Sequence, residues 1–168
     1  YQQLITIIKD FVQSHYSKKE KILGLAINLS GRINNTSGYS YSYFNFQEEP
    51  LSEIIQRSIG ITTFLENDSR AMAYGEFYAG DVGGARNVLF VNIDYGIGLG
   101  ILLDGKLYYG KSGFSGEFGH IPFFNNEILC HCGKKGCLET EASGLALLRN
   151  FKEKIKKACL KHHVNTIT

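Results

Sequence analysis

The segment from Glu117 to Glu139, EFGHIPFFNNEILCHCGKKGCLE, restricts this chain more than any other. It places Cys130, Cys132 and Cys137 within eight residues, and His120 ten residues upstream of Cys130. A Cys3His set binds Zn²⁺ tetrahedrally, with thiolates at about 2.3 Å and an imidazole nitrogen at about 2.0 Å. Three thiolates and a neutral imidazole around Zn²⁺ carry one net negative charge, which suits a closed structural site. Gly133 and Gly136 permit the tight turn that returns Cys137 to Cys132. The alternative is buried free thiols beside an unrelated histidine. The CxC followed by CGxxGC weighs against it, because such spacing is specific to metal knuckles. His131, between two ligands, is expected to point away. Zinc on one nitrogen of His120 leaves the other as an N–H donor for a hydroxyl oxygen.

Composition narrows the class. A chain of 168 residues makes one domain or parts of two. Its formal charge of +2 supplies no basic footprint for nucleic acid. No apolar run reaches the roughly 18 residues of a membrane span. There is no signal peptide, and the chain opens at Tyr1 rather than Met, which reads as the edge of a longer protein. Cys130 and Cys132 are too close to cross-link anything distant. A metal-bound set in a cytoplasmic protein therefore fits better than a disulfide framework. Cys159 is left over as a helix residue.

Periodicity gives the order of elements. Leu4, Ile7, Ile8, Phe11 and Val12 have helical spacing over residues 3–15. Residues 21–29 read as a buried strand ended by Ser30-Gly31. The aromatic stretch Tyr39–Phe46 has no clear assignment. Pro50 opens a helix to about Ile59, and Gly60 stops it. A short strand at Ile61–Leu65 leads to a helix over about Ser69–Tyr78, with Asp68 expected as its cap. The loop Ala79–Arg86 is the expected boundary, dividing the chain into 1–82 and 83–168. Beyond it come the apolar strand NVLFVNI and a hairpin turning at Asp104-Gly105. A last helix runs from about Thr140 to Lys161, with a solvated lysine face and His162-His163 as a polar end. Strands alternating with helices, then a hairpin, indicate an α/β fold.

Three further groups carry chemistry. Glu66-Asn67-Asp68 lies at a strand-to-helix junction, where a carboxylate can take a hydroxyl proton and Asn67 can bond a polyol. A plain helix cap at Asp68 is the simpler reading. The run Asp94–Gly100, DYGIGLG, follows an apolar strand. Its glycines could admit a phosphate to backbone N–H groups, or serve a hairpin with no ligand. Glu117 and Glu139 flank the knuckle, either as surface acids or beside the metal-ordered histidine.

Taken together, GLAINLSGRIN (24–34), ENDSRAMAYGE (66–76), NIDYGIGLGILLDG (92–105), GFSGEFGH (113–120) and Cys130–Glu139 resemble the ROK family. That family comprises sugar kinases and sugar-responsive transcriptional repressors with a two-lobed actin-like (ribonuclease H-like) fold. The resemblance spans about residues 22–145. It implies zinc ligands at His120, Cys130, Cys132 and Cys137, and sugar contacts at Asn67, Asp68, Glu117, His120 and Glu139. Gly31 and Arg32 match positions that touch the sugar in some members. In the kinases the residue at Asp68 is the base, and ATP with Mg²⁺ supplies the phosphoryl group.

Two departures bear on activity. The phosphate-holding Asp-x-Gly-x-Thr of the kinases is not in these residues. Where the kinases carry Gly-Thr before Gly-Ile-Gly-x-Gly, this chain has Asp94-Tyr95, an acid and a bulky ring that would repel and crowd a phosphate. Repressors of the family share that loss. The expectation is therefore the effector segment of a ROK-type repressor, closer to that branch than to the kinases. It would bind a sugar or amino sugar with structural zinc, and DNA through an N-terminal domain outside these residues. No membrane is involved, and the protein would be a homo-oligomer. The alternative is an ATP-dependent sugar kinase with Asp68 as catalytic base.

Overall fold

The structure is a computed structural model that describes residues 1–15, 22–44 and 48–164. Its elements are α1 (Gln2–His15), β1 (Leu25–Leu29), β2 (Ile33–Asn34), β3 (Tyr39–Ser40), α2 (Leu51–Ile59), β4 (Thr63–Asn67), α3 (Asp68–Ala79), β5 (Val88–Ile93), β6 (Ile97–Leu103), β7 (Lys106–Leu107), a 3₁₀ turn at Phe118–His120, α4 (Glu139–Ala142) and α5 (Gly144–Val164). Lys21, the part of the aromatic stretch after Phe44, and the side chains of His162 and His163 lie outside the described residues. Two compact units arise from the chain: Tyr1–Leu89 with Gly100–Ser115, and Phe90–Leu99 with Gly116–Thr168.

In the first unit, β1 and β4 pair in parallel from Leu25↔Thr63 to Leu29↔Asn67. This register makes Ser30 and Asp68 the next residue on each strand. The expected strand at 61–65 therefore lies two residues later, and it runs directly into α3. The core gathers Ile5, Ile33, Leu51, Ile55, Ile59, Ile61 and Leu65. Helix α2 buries Leu51, Ile54, Ile55 and Ile59 at helical spacing. It ends at Gly60, which is left-handed at φ 70 and returns its N–H to Gln56 O at 2.8 Å. The stripe read on α1 divides: Leu4, Ile8 and Val12 pack on the core, while Ile7 and Phe11 stay exposed.

The hairpin at Asp104-Gly105 forms as expected, pairing Leu102↔Leu107 and Leu103↔Lys106. Both turn residues have positive φ, 50 and 76, the geometry of a two-residue primed turn. Strands β5, β6 and β7 make one three-stranded sheet in that order. The apolar run of β5 alternates, with Leu89, Val91 and Ile93 exposed.

In the second unit the expected single last helix is broken at Ser143. Its backbone there is extended (φ −87, ψ 168), and its hydroxyl accepts the Ala146 N–H at 3.3 Å, starting a new helix. Residues 151–159 of α5 are exposed all round, the lysines together with Phe151 and Ile155. Among the described residues, no helix is long and apolar enough to cross a membrane.

Candidate functional site

The Cys3His set assembles in the second unit. Ligand atoms of His120, Cys130, Cys132 and Cys137 all lie within 4.8 Å of one another. A tetrahedral zinc with the bond lengths above has S···S edges of about 3.8 Å and S···N edges of about 3.6 Å. Cys132 Sγ and Cys137 Sγ are 3.7 Å apart, and Cys130 Sγ is 3.5 Å from His120 Nδ1. The residues therefore fit the ion, and the sulfur separation is far beyond a disulfide bond of about 2.05 Å. Nδ1 is the nitrogen turned to the cluster, which leaves Nε2 as the second nitrogen of His120.

Backbone ties hold this geometry. Cys130 N–H donates to Lys134 O at 2.8 Å, and Gly133 N–H to Cys130 O at 2.9 Å. Gly136 turns at φ 68, and a Cβ there would strike the Phe124 carbonyl oxygen, so only glycine fits. Its own carbonyl accepts from Phe123 and Phe124, both at 2.9 Å. Burial, then the hydrogen bond to Glu139, pushes the Cys130 thiol well above its usual range. Burial also raises Cys137. Burial opposes ionisation of Cys132 too, but the Lys134 N–H and the neighbouring thiols outweigh it and bring its thiol down.

Glu139 is the centre of the second layer. It is 7% exposed. Its Oε1 accepts from Cys130 Sγ at 3.0 Å and lies 3.4 Å from His120 Nδ1. Its Oε2 accepts the Ile97 N–H at 3.4 Å. His131 does not point away, as its position between two ligands suggested. Its Nδ1 sits 2.9 Å from Glu139 Oε1, and its ring meets His120 edge-on at 4.9 Å. The physical reason is that a buried carboxylate favours donors around it, and His131 Nδ1 is one when it carries the ring proton. Glu117 precedes the 3₁₀ turn carrying His120 and is half-buried.

Gly96 and Gly100 of the Asp94–Gly100 run have packing causes. A Cβ on Gly96 would lie 2.9 Å from Glu139 Oε2, and one on Gly100 would meet Ala73 and Ser69 O. Asp94 N–H donates to Gly96 O at 3.1 Å, and Asp94 O accepts from Gly144 N–H at 2.7 Å. Both side chains at Asp94 and Tyr95 are exposed, Tyr95 by 72%.

The first unit holds the other set. The helix cap is Asn67, not Asp68: its Oδ1 accepts the Arg70 N–H at 3.0 Å, and its Nδ2 donates to Gly31 O at 3.0 Å. Helix α3 begins at Asp68, one residue earlier than the sequence pattern indicated, so the cap falls on Asn67. Asp68 Oδ1 accepts the Ser69 N–H at 2.7 Å, and Oδ2 accepts the Ser30 hydroxyl at 2.6 Å. Arg32 is exposed beside Gly31, with its N–H on Ser42 Oγ at 2.9 Å.

Glu66 is engaged elsewhere. Oε1 accepts from Asn67 N–H and Arg70 Nε, both at 2.7 Å, and Oε2 accepts from Tyr109 OH at 3.1 Å. Arg70, 2% exposed, also donates to Gly113 O at 2.8 Å and Ile33 O at 2.9 Å. Burial, then the charge of Glu66, raises the Tyr109 hydroxyl above its usual range. Sequence reasoning missed Arg70, Tyr109 and Ser30. The Glu-x-x-x-Arg spacing of Glu66 and Arg70 was the one available signal.

These elements are part of an actin-like ATPase fold of mixed α/β type. The chain belongs to the ROK family, whose model matches residues 1–168. It is 34% identical over 163 residues to the xylose repressor of Bacillus subtilis, covering 96% of this chain and 42% of that protein. It is 36% identical over 136 residues to the glucokinase of Streptomyces coelicolor, covering 80% and 43%. Among solved structures, the ROK family glucokinase from Streptomyces griseus in complex with glucose and AMPPNP superposes with a TM-score of 0.78 at 29% identity, covering 93% of this chain and 50% of that one. The chain thus spans about two fifths of the length of the curated relatives it matches.

Proposed function

We propose that this chain is the effector segment of a ROK-type transcriptional repressor that binds a sugar or amino sugar. The observation that carries the reading is Asp94-Tyr95. An acid and a ring exposed by 72% occupy the turn where the family's kinases carry Gly-Thr. A nucleotide phosphate brought there would meet like charge and bulk. Similarity to the xylose repressor over 96% of the chain supports the same branch.

In this reading His120, Cys130, Cys132 and Cys137 hold a structural zinc, supported by the closeness of the four ligand atoms and by two separations that match the edges of a zinc tetrahedron. Gly31, Arg32, Asn67, Asp68, Glu117, His120 and Glu139 contact the sugar. Nε2 of His120 gives a hydroxyl an N–H partner while Nδ1 faces the metal. DNA is bound by an N-terminal domain, and the protein is cytoplasmic and homo-oligomeric. Residues 1–82 belong to the N-terminal lobe of the whole protein, and 83–168 to the C-terminal lobe. Ligand binding shifts DNA affinity by favouring one arrangement of the whole protein.

A sugar kinase is the second reading, favoured by the similarity to the Streptomyces coelicolor glucokinase and by an acid at Asp68. One pair of measurements separates the two. Calorimetry of the full-length protein against hexoses, pentoses and N-acetylhexosamines should give binding, and a coupled ATP-to-ADP assay should give no sugar-dependent turnover. Turnover abolished by Asp68→Asn would replace the repressor reading with the kinase. Absence of binding to every sugar would remove both.

A further inference from the structure

We infer that Ser30 is a specificity-determining residue of the sugar site, pairing with Asp68 to recognise two neighbouring free hydroxyl groups on the ligand. The inference rests on the reading that Asn67 and Asp68 face a sugar.

Ser30 follows β1 and Asp68 follows β4, and the parallel register from Leu25↔Thr63 to Leu29↔Asn67 sets them side by side. Ser30 has a single hydroxyl proton, and it is committed to Asp68 Oδ2 at 2.6 Å. Toward a ligand, Ser30 Oγ is therefore an acceptor. An ionised Asp68 has no proton to give. Its Oδ1 already receives the Ser69 N–H and the Ser69 hydroxyl, at 2.7 and 3.3 Å. Oδ2 carries only the Ser30 bond among these contacts and retains a lone pair. The corner thus presents two acceptors 2.6 Å apart. Vicinal hydroxyl oxygens on a sugar ring are separated by about the length of one O–H···O hydrogen bond, about 2.8 Å. Two such hydroxyls can each donate into the pair.

Asn67 adds the opposite sense. Its Oδ1 caps α3 and one N–H reaches Gly31 O, so the other N–H is the polar group it has left for an acceptor oxygen. The selectivity follows. A phosphate ester, a methyl ether or a ring carbon without its hydroxyl has no proton for the acceptor pair, and a site built for a hydroxyl rejects an analogue that lacks it.

The test is calorimetry on the full-length, zinc-loaded protein with D-xylose, D-glucose and N-acetyl-D-glucosamine, then with the monodeoxy analogues of whichever sugar binds. Ser30→Ala should weaken the parent sugar about threefold to tenfold, the size of one hydrogen bond. The same substitution should leave the affinity of one particular deoxy analogue unchanged, because that analogue already lacks the hydroxyl Ser30 accepts. Ser30→Thr, which keeps a hydroxyl, should restore parent binding. Equal affinity of wild type and Ser30→Ala for the parent sugar overturns the inference and leaves the sugar reading standing. So does an equal loss for the parent and every deoxy analogue, which marks a merely structural effect. If the wild type binds neither these three nor any other hexose, pentose or N-acetylhexosamine, the sugar reading falls and takes the inference with it.

Discussion

Arg70 shows how a single side chain can decide local order. It is 2% exposed, and its guanidinium is engaged by Glu66 and by the Ile33 and Gly113 carbonyls. Three stretches that match the family, around residues 33, 66 and 113, meet at one cation. Removing one partner of a buried ion pair costs more than the pair itself contributes, because a charge is left without its counterpart. Arg70→Ala should therefore lower stability by on the order of 3 kcal/mol, read as a drop in the urea midpoint with the slope unchanged. A loss below about 0.5 kcal/mol, the size expected of a surface substitution, would contradict the hub. Residue roles of this kind were only partly legible. Cysteine and glycine spacing exposed the knuckle, since its ligands are close in sequence. Ser30 and Asp68 are 38 residues apart, and only strand pairing brings them together.

At the scale of elements, punctuation was the reliable signal. Gly60 and Asp104-Gly105 stop or turn the chain where their conformational freedom is needed. Gly60→Ala should cost about 1 kcal/mol, because a Cβ there meets nothing within 4 Å and only the left-handed backbone resists it. A thermal melt checks this, and an unchanged midpoint would mean the helix end relaxes without penalty. Boundaries set by burial were less legible. The strand expected at 61–65 runs at Thr63–Asn67, because backbone pairing with β1 continues past the apolar residues. The helix meanwhile starts one residue earlier than expected, which places its cap on Asn67 rather than Asp68. The break at Ser143 had a local signal in Ser143-Gly144, a poor helix-forming pair, but the interruption itself depends on Gly144 N–H meeting Asp94 O, a contact distant in sequence.

For the molecule as a whole, the Cys3His cluster is the feature with the widest reach. Its four ligands join the 3₁₀ turn of His120 to the Cys130–Cys137 turn, and Glu139 opens α4 against the same sulfur. Zinc should therefore be present at about one per chain by elemental analysis. Cys132→Ser should remove it, increase protease cutting within 117–139 and lower any sugar affinity. Lowering the pH should release the metal in the same way, because its ligands bind it only when deprotonated. Unaltered sugar affinity in the metal-free variant would separate the metal from ligand recognition.

The cap on α3 limits how this protein could be re-engineered. Asn67 ties the end of one strand to the start of a helix with both ends of its amide. A designer who wants a new ligand preference would find that position constrained, since a replacement that cannot both accept from Arg70 N–H and donate to Gly31 O loosens the scaffold as it alters recognition. The open position is its neighbour across the strand pair. Ser30 is exposed, and its hydroxyl proton goes to the side chain of Asp68. Variation there can redirect recognition while the frame stays intact.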